Sequence, residues 1–264
     1  MGVRPADHHH EAAGGSPPAE DFPRTRPARG RGPAARVIAA AVRDVGPREA
    51  PALLCATAVD LLPVNGASVS LYGGGLPVRL GASSGRAAWL TELQATLGDG
   101  PCPTAARTGA PAFAADLTCG EDLRRWPLFA HEAALSGVRA AYSLPLGSGP
   151  VCVGTLDLYR DTPGVLGTAD LDTALLVAAV MTAALTVLPH DGDGDLPGGD
   201  RWLNGLAADH DEVHQATGMV MARLGVGPDE ALARLRAHAF AHDRTVLQTA
   251  RDVVTHGVGL DDLP

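Results

Sequence analysis

A sharp break in composition near residue 190 limits what this chain can fold into. Residues 189–200 contain two prolines, four glycines and four aspartates in twelve positions. Such a segment cannot continue a helix or a strand, and repulsion between its acidic side chains keeps it extended. The break therefore predicts a flexible acidic linker over 189–200 that divides the chain into segments of roughly 150 and 65 residues, the size of one domain and one small module.

The N-terminal end has an equally biased composition. Residues 1–35 hold six prolines, five glycines and five arginines, and Phe22 is their only aromatic residue. A segment of this kind cannot bury enough apolar surface to offset the entropy lost on ordering. It is predicted to be a disordered arm, and the triplet His8 to His10 is interpreted as part of that arm rather than as a metal site. Ordered domains are expected over 36–188 and 201–264.

Charge and hydropathy exclude some classes of partner. The 21 basic residues face 30 acidic ones, which gives a net charge of −9. A chain this acidic does not coat nucleic acid or an anionic membrane, although a local site is compatible with it. No run of 18 or more uncharged apolar residues and no secretory signal is visible, so the expectation is a cytoplasmic protein without a membrane partner. The four cysteines form no CxxC pair and are predicted to be small buried hydrophobic residues: Cys55, Cys102, Cys119 and Cys152.

The larger segment alternates between helical and strand periodicity. Residues 67–72 alternate apolar and polar side chains, a glycine run follows at 73–75, and 76–83 returns as the partner strand of a hairpin. The same pattern recurs at 139–146 and 151–160, and a short strand is predicted at 111–117. Helices are predicted over 37–45, 48–62, 86–97, 121–135 and 171–185. This order predicts an α+β fold in which helices flank a mostly antiparallel sheet.

The smaller segment has helical periodicity throughout. Apolar residues from Leu203 to Leu224 recur every three or four positions, which is typical of a heptad seam. A second helix is predicted to begin at Pro228, and Thr245 with Gln248 forms a capping-box pattern for a third. Three helices make a small bundle, and the seam predicts a homodimer. The seam residues expected to contact the second copy are Leu203, Leu206, Val213 and Val220.

Sequence motifs favour a protein that is not an enzyme. No GxSxG, HExxH, Walker or helix-opening GxGxxG pattern is present. Cys102 is the one candidate nucleophile, and His131 is the only histidine in the same segment. Histidine pairs four apart in the C-terminal segment lack a third ligand at an obvious spacing. No catalytic residue, metal or cofactor is therefore predicted.

Two sets of motifs resemble known domains. Residues 212–254 resemble an ANTAR domain, the three-helix RNA-binding module of transcription antiterminators. The resemblance rests on the run from Ala216 to Met221, on Glu230 to Arg236, and on Ala250 with Val253 and Val254. The larger segment resembles a GAF domain of the actinobacterial type, on the sequence LGDGPCPTAARTGAPAFAADL at 97–117, the Arg125-Trp126-Pro127 turn, and VGTLDLYRDTPG at 153–164.

The resemblance implies a sensor domain that controls an RNA-binding output domain. ANTAR proteins bind paired RNA hairpins in nascent transcripts and commonly act as dimers. Helical spacing places Arg234 and His238 on one face, and single-stranded loop bases stack on guanidinium and imidazole rings. The residues expected to contact RNA are Thr217, Gly218, Met219, Arg234, Arg236, His238 and Arg251.

Two questions stay open at this level. The GAF domain either binds a small molecule, between its sheet face and the segment 97–108, or serves without a ligand in dimerisation. The C-terminal module either binds RNA or is vestigial in a protein that binds a ligand or dimerises. Residues 195–264 carry six arginines against eleven acidic residues, and phosphate contacts dominate affinity for RNA, so this balance favours the vestigial module.

Overall fold

A computed structural model describes residues 31–43, 45–46, 49–73, 75–148, 151–186 and 200–257. Most of the predicted linker and most of the predicted N-terminal arm lie outside these residues; Asp200, the last residue assigned to the linker, begins a helix. Helix α1 begins at Arg31, so the last five residues assigned to the arm are helical. Pro33 is compatible with this start because the first turn of a helix has no intrahelical acceptor for a proline to forgo.

The larger domain is built on a five-stranded antiparallel sheet with the strand order β2-β1-β5-β4-β3. Both predicted strand pairs are present. The strands are β1 (Gly66–Gly73), β2 (Leu76–Ala82), β3 (Ala112–Ala114), β4 (Ala140–Ser148) and β5 (Val151–Arg160). Among the described residues, the helices around the sheet are α1 (Arg31–Val42), α2 (Ala50–Leu61), α3 (Gly85–Leu97), α4 (Pro101–Thr108), α5 (Gly120–Arg125), α6 (Pro127–Leu135) and α7 (Thr168–Thr186). The predicted α+β class is confirmed.

The two faces of the sheet differ in chemistry, because side chains alternate along each strand. Val69, Leu156 and Leu158 belong to the main apolar core, which α1, α2 and α7 cover. The opposite face is polar, and β1, β5 and β4 place Ser68, Asp157 and Ser143 directly side by side. Helices α3 and α4 cover this polar face, so both faces of the sheet are buried.

Helix α7 is apolar enough and long enough to cross a membrane, over Thr168–Leu185 with a mean hydropathy of 1.5. Its buried residues include Ala174, Val177, Met181 and Leu185, and all four belong to the main core of the larger domain. This packing accounts for part of its apolar composition, since a third of the window is buried within the chain.

Two local features differ from the sequence prediction. Segment 101–108 folds as helix α4, which was not predicted. The helix predicted over 121–135 is instead two helices that meet at Trp126, whose φ of −136° and ψ of 66° are not helical. The residue before a proline is disfavoured in the α region, and Pro127 follows here.

The C-terminal segment forms the predicted three-helix bundle of α8 (Asp200–Leu224), α9 (Pro228–Ala241) and α10 (Val246–His256). The predicted capping box joins Thr245 and Gln248. Val213 and Val220, half of the predicted dimer seam, are buried in the core of this bundle. They are therefore used within the chain, since α9 and α10 pack against the stripe that was expected to meet a second copy. The side chains of Leu203 and Leu206 lie outside the described residues.

Candidate nucleic-acid interface

Arg236, the basic residue of α9 that the sequence assigned to RNA, lies between the two domains. Its Nε donates a hydrogen bond to the carbonyl oxygen of Ala95 in α3 (3.0 Å), and its Nη2 donates to that of Gly75 in the β1–β2 turn (2.8 Å). Burial lowers the pKa of the Arg236 guanidinium, and the nearby charge of Arg107 acts in the same direction. The expected RNA contact is thus held by carbonyl groups of the larger domain.

A second contact fastens the bundle one residue further along α3. The backbone N–H of Val246, the first residue of α10, donates to Oγ1 of Thr96 (3.1 Å). Leu76 and Ala95 of the larger domain complete the apolar core of the bundle together with residues such as Leu235 and Val253. A small cavity of about 60 Å³ lies at this junction, between β2, α3, α8 and α10. The domains therefore share an apolar core as well as hydrogen bonds.

The close approach of Arg236 requires a glycine at position 98. Gly98 ends α3 with a φ of +64°, and a Cβ there would lie 2.7 Å from Nη1 of Arg236. A side chain at this position would be strained and would also push the guanidinium away.

The other basic residues predicted to contact RNA are paired with acidic side chains. Arg234 contacts Glu230 at 2.8 Å, and Arg251 of α10 contacts Glu212 of α8 at 2.7 Å. Both pairs are partly exposed to solvent, where such pairs are weak and salt can screen them. An added anion has to compete with the contacts of both arginines, whereas Arg236 is held by the larger domain as long as α9 lies against α3.

The remaining predicted residues do not form one surface with Arg236. Thr217 is buried, and its hydroxyl donates to the carbonyl of Val213 (2.7 Å), whereas Gly218 is exposed and Met219 packs at the edge of the bundle core. His238 is half-buried, and its ring stacks on that of His242 with 4.1 Å between centroids. These residues lie on different faces of α8 and α9, so a single contiguous RNA site is not formed in this arrangement.

The polar face of the sheet contains a buried hydrogen-bonded cluster, centred on Asp157. Ser143 donates to one carboxylate oxygen (2.5 Å) and Thr155 donates to the other (3.1 Å). The thiol of Cys102 lies 3.1 Å from the Thr155 hydroxyl. Burial raises the pKa of Asp157 from 3.8 to about 6, and the hydrogen bonds from Ser143, Thr155 and Cys102 oppose this rise.

Gln94 links this cluster to α3 and α4. Its Oε1 accepts from the backbone N–H of Cys102 (2.9 Å), and its Nε2 donates to the Tyr159 hydroxyl (3.2 Å). Gly100, with a φ of +124°, lets the start of α4 pass close to this amide, since a Cβ there would lie 2.5 Å from Oε1. In this arrangement Gln94 and α4, which is formed by residues of the segment 97–108, pack directly on the polar face of the sheet.

The cysteines and acidic residues of the described segments suggest no metal centre. All four cysteines are free: Cys55 and Cys102 are buried as predicted, whereas Cys119 is exposed and Cys152 is half-buried. Among the residues with described positions, no group of three or more His, Cys, Asp or Glu side chains is arranged to hold a metal ion.

Comparison with known protein families agrees with both halves of this architecture. The GAF domain model matches residues 49–187, more than half of the chain, and the ANTAR domain model matches residues 203–254. This chain belongs to the GAF family and carries a C-terminal ANTAR domain. These matches confirm that the sequence resembles a GAF domain and an ANTAR domain. Both are regulatory domains. No curated protein is significantly similar to the chain.

Solved structures similar to this chain cover the GAF domain. The GAF domain of a phosphoenolpyruvate-protein phosphotransferase from Acinetobacter is 10% identical, with a TM-score of 0.47, over 61% of this chain and 95% of that one. Free methionine-R-sulfoxide reductase from Neisseria meningitidis is 15% identical, with a TM-score of 0.45, over 58% of this chain and 86% of that one. A domain of a putative sensor histidine kinase from Sinorhizobium meliloti is 17% identical, with a TM-score of 0.40, over 51% and 87%.

The sequence did not reveal the GAF residues that hold the ANTAR domain. Ala95 contributes its backbone carbonyl, which every residue type has, so its role cannot be predicted from its identity. Thr96 has no sequence feature that distinguishes it from other threonines in helices. One signal was available in Gly98, because a glycine that ends a helix before a Gly-Pro pair marks a close approach or a turn. Its partner could not be deduced, since Arg236 is 138 positions away in the chain.

Proposed function

We propose that this chain is an RNA-binding antitermination regulator whose GAF domain controls access of RNA to the ANTAR domain. The position of Arg236 is the observation that carries this proposal: the residue expected to contact RNA donates its hydrogen bonds to the GAF domain. One guanidinium cannot serve both partners, so the GAF domain and RNA compete for it. The protein is proposed to act in the cytoplasm as a homodimer.

The proposal defines two states of the chain. In the state described above, α9 lies against α3 and Arg236 is held by the GAF domain, whereas Arg234 and Arg251 are partly exposed to solvent. In the RNA-binding state, α9 separates from α3 and Arg236 contacts a hairpin loop through a phosphate or a base. A GAF signal would favour the second state by weakening the contacts that Ala95, Thr96 and Gly75 make with the ANTAR domain.

A titration of a two-hairpin RNA tests this function. Thr96→Val removes the acceptor for Val246 N–H, so it should favour separation and raise RNA affinity above that of the wild type. Adding Arg236→Ala to that variant should lower the affinity again and make its dependence on salt shallower by about one charge, as expected for one lost phosphate contact. Thr173→Val is the matched control. The hydroxyls of Thr96 and Thr173 both donate to the carbonyl oxygen four residues earlier, but Thr173 lies in α7.

The outcomes separate the proposal from its alternative. Equal RNA affinity for Thr96→Val with and without Arg236→Ala would rule out Arg236 as a contact. Absence of RNA binding by every variant would instead favour a ligand-binding or dimerisation protein with a vestigial RNA module. The pairing of Arg234 and Arg251 with carboxylates is the structural observation that supports this alternative.

A further inference from the structure

Three consecutive residues of α3 connect the GAF interior to the ANTAR domain. The Gln94 side chain points into the buried polar cluster, where it accepts from Cys102 N–H. The Ala95 carbonyl accepts from Arg236, and the Thr96 hydroxyl accepts from Val246. One turn of helix is therefore fastened on its inner side to the cluster and on its outer side to α9 and α10.

The centre of the cluster is a carboxyl group without a cation beside it. The groups that act on the Asp157 carboxyl within the described residues are two hydroxyls and one thiol. A buried carboxylate that relies on neutral donors alone is costly, because those donors do not replace the hydration it has lost. Asp157 is therefore the group in the GAF interior whose charge is most sensitive to small changes in packing.

The path from Asp157 to α3 consists of direct contacts. Asp157 contacts Thr155, Thr155 contacts the Cys102 thiol, and the Cys102 backbone is bonded to Gln94. Asp157, Thr155, Cys102 and Gln94 are all fully buried under α3 and α4. A change at the carboxyl is thus transmitted to the α3 turn without a gap.

We infer that this cluster is a proton-responsive element that sets how firmly the ANTAR domain docks on the GAF domain. When the ANTAR domain is docked, Ala95 and Thr96 are only 4% exposed, and the cluster behind them is sealed from water. Undocking uncovers this turn, loosens Gln94 and lets water approach Asp157. The docked state consequently disfavours the carboxylate more strongly than the undocked state does.

The direction of the effect follows from proton linkage. The pKa of Asp157 is about 6 in the docked state and falls toward its ordinary value as the cluster becomes hydrated. Protons therefore bind the docked state more tightly. Docking is strongest below the lower pKa of the undocked state, weakens as the pH rises toward 6, and loses this contribution above 6. Each unit of difference in pKa between the two states changes the docking equilibrium by about tenfold.

Other titratable groups near Asp157 do not reverse this direction. Cys102 of α4 and Cys55 of α2 face it, as does Tyr159 of its own strand, and burial raises the pKa of all three. They stay neutral between pH 5 and 8. The other groups that face Asp157 are uncharged. Strands β1 and β4 contribute the hydroxyls of Ser68, Ser70 and Ser143, and α3 contributes the Thr91 hydroxyl and the Gln94 amide. His238 lies on α9 and His242 directly follows it, and both residues are retained in the variants that are compared below.

The Val246 amide reports docking directly, because the first residue of a helix has no acceptor within that helix. Its protection from hydrogen exchange therefore depends on Thr96 of the GAF domain. In the full-length chain without RNA, the Val246 protection factor should fall up to about fourfold between pH 5.5 and 7.5, after correction for intrinsic exchange. The amide of Gly225, which bonds within its own helix to Met221, is the control and should not show this transition.

Two variants decide the outcome. Asp157→Asn removes the titrating group and should make the Val246 protection independent of pH across this range, apart from any histidine contribution that it shares with the wild type. Ser143→Ala removes one donor to the carboxylate, raises its pKa and should move the transition to higher pH, which keeps the inference testable if Asp157→Asn does not fold. A protection factor that is constant or rises with pH in the wild type would overturn the inference, as would an unchanged transition in both variants. Because no RNA is present, either result is independent of the function proposed above.

Discussion

Buried polar residues on strands are the feature of this molecule that sequence patterns described least well. Alternation correctly predicted both strands, in which Val69 and Leu156 lie on the apolar face and Ser68 and Asp157 on the polar one. An alternating strand is typically polar on the side that faces solvent, but here a second layer of helices covers that side. The decisive information is the position of α3 and α4, which strand periodicity does not contain.

We predict that Asp157 makes the stability of the chain depend on pH. Its folded-state pKa of about 6 is above the ordinary value of 3.8, so the folded state is favoured fully below pH 4 and this contribution is lost as pH rises through 6. A difference of about two units corresponds to about 3 kcal/mol. Asp157→Asn should therefore lose less free energy of unfolding than the wild type between pH 5 and 7.5 in urea titrations. Parallel pH dependences for the two proteins would contradict the assignment.

Helix elements were predicted well where apolar periodicity was long and poorly where prolines interrupted it. The bundle helices and both strand pairs follow the predicted pattern. Helix α4 was missed because its sequence PCPTAART begins with two prolines, although a proline suits the first turn of a helix. Its helical conformation depends on contacts that lie elsewhere in the chain, including the bond from the Trp126 indole to Thr104 (3.1 Å).

Gly218 lies inside helix α8, where a glycine is unfavourable. A glycine inside a helix costs up to about 1 kcal/mol relative to alanine, and close packing is the usual reason to accept that cost. Here no described atom outside its own helix lies within 4 Å of the position where a Cβ would be. Packing among the described residues therefore does not account for this glycine.

We predict that Gly218→Ala raises the thermal stability of the chain, by about 0.5 to 1 kcal/mol, and lowers its affinity for two-hairpin RNA. Calorimetry and RNA titration measure the two effects separately. Gly225→Ala serves as the control in calorimetry, because its φ of +68° makes alanine unfavourable there and should reverse the sign. An unchanged RNA affinity for Gly218→Ala would remove α8 from the binding surface.

At the scale of the whole molecule, the two domains are joined by a shared core rather than by the linker alone. The heptad pattern of α8 predicted contacts with a second copy, but it is satisfied within one chain from Val213 onward. Sequence periodicity identifies an apolar stripe and cannot say which surface covers it. The first part of α8, with Leu203 and Leu206, remains the predicted dimer contact.

We predict that replacing Leu203 and Leu206 with glutamate weakens self-association without unfolding the ANTAR bundle. Burial of one leucine contributes about 1.5 to 3 kcal/mol, so two substitutions should shift the dissociation constant by several orders of magnitude. Sedimentation velocity measures the mass, and amide exchange in α9 checks the fold. Val220→Glu is the contrasting variant, because that side chain is fully buried within the chain and its replacement should unfold the bundle. Identical masses for wild type and the double variant would exclude this contact.

The contribution of Leu76 and Ala95 to the ANTAR core has a consequence for how the protein is made. A ribosome completes the GAF sequence well before it reaches α9, and domains that emerge first usually fold first. The apolar surface around these two residues is thus in place while the C-terminal helices are still being synthesised. The ANTAR domain therefore assembles on a surface that is already folded, and Arg236 reaches the Ala95 carbonyl only when α9 docks there.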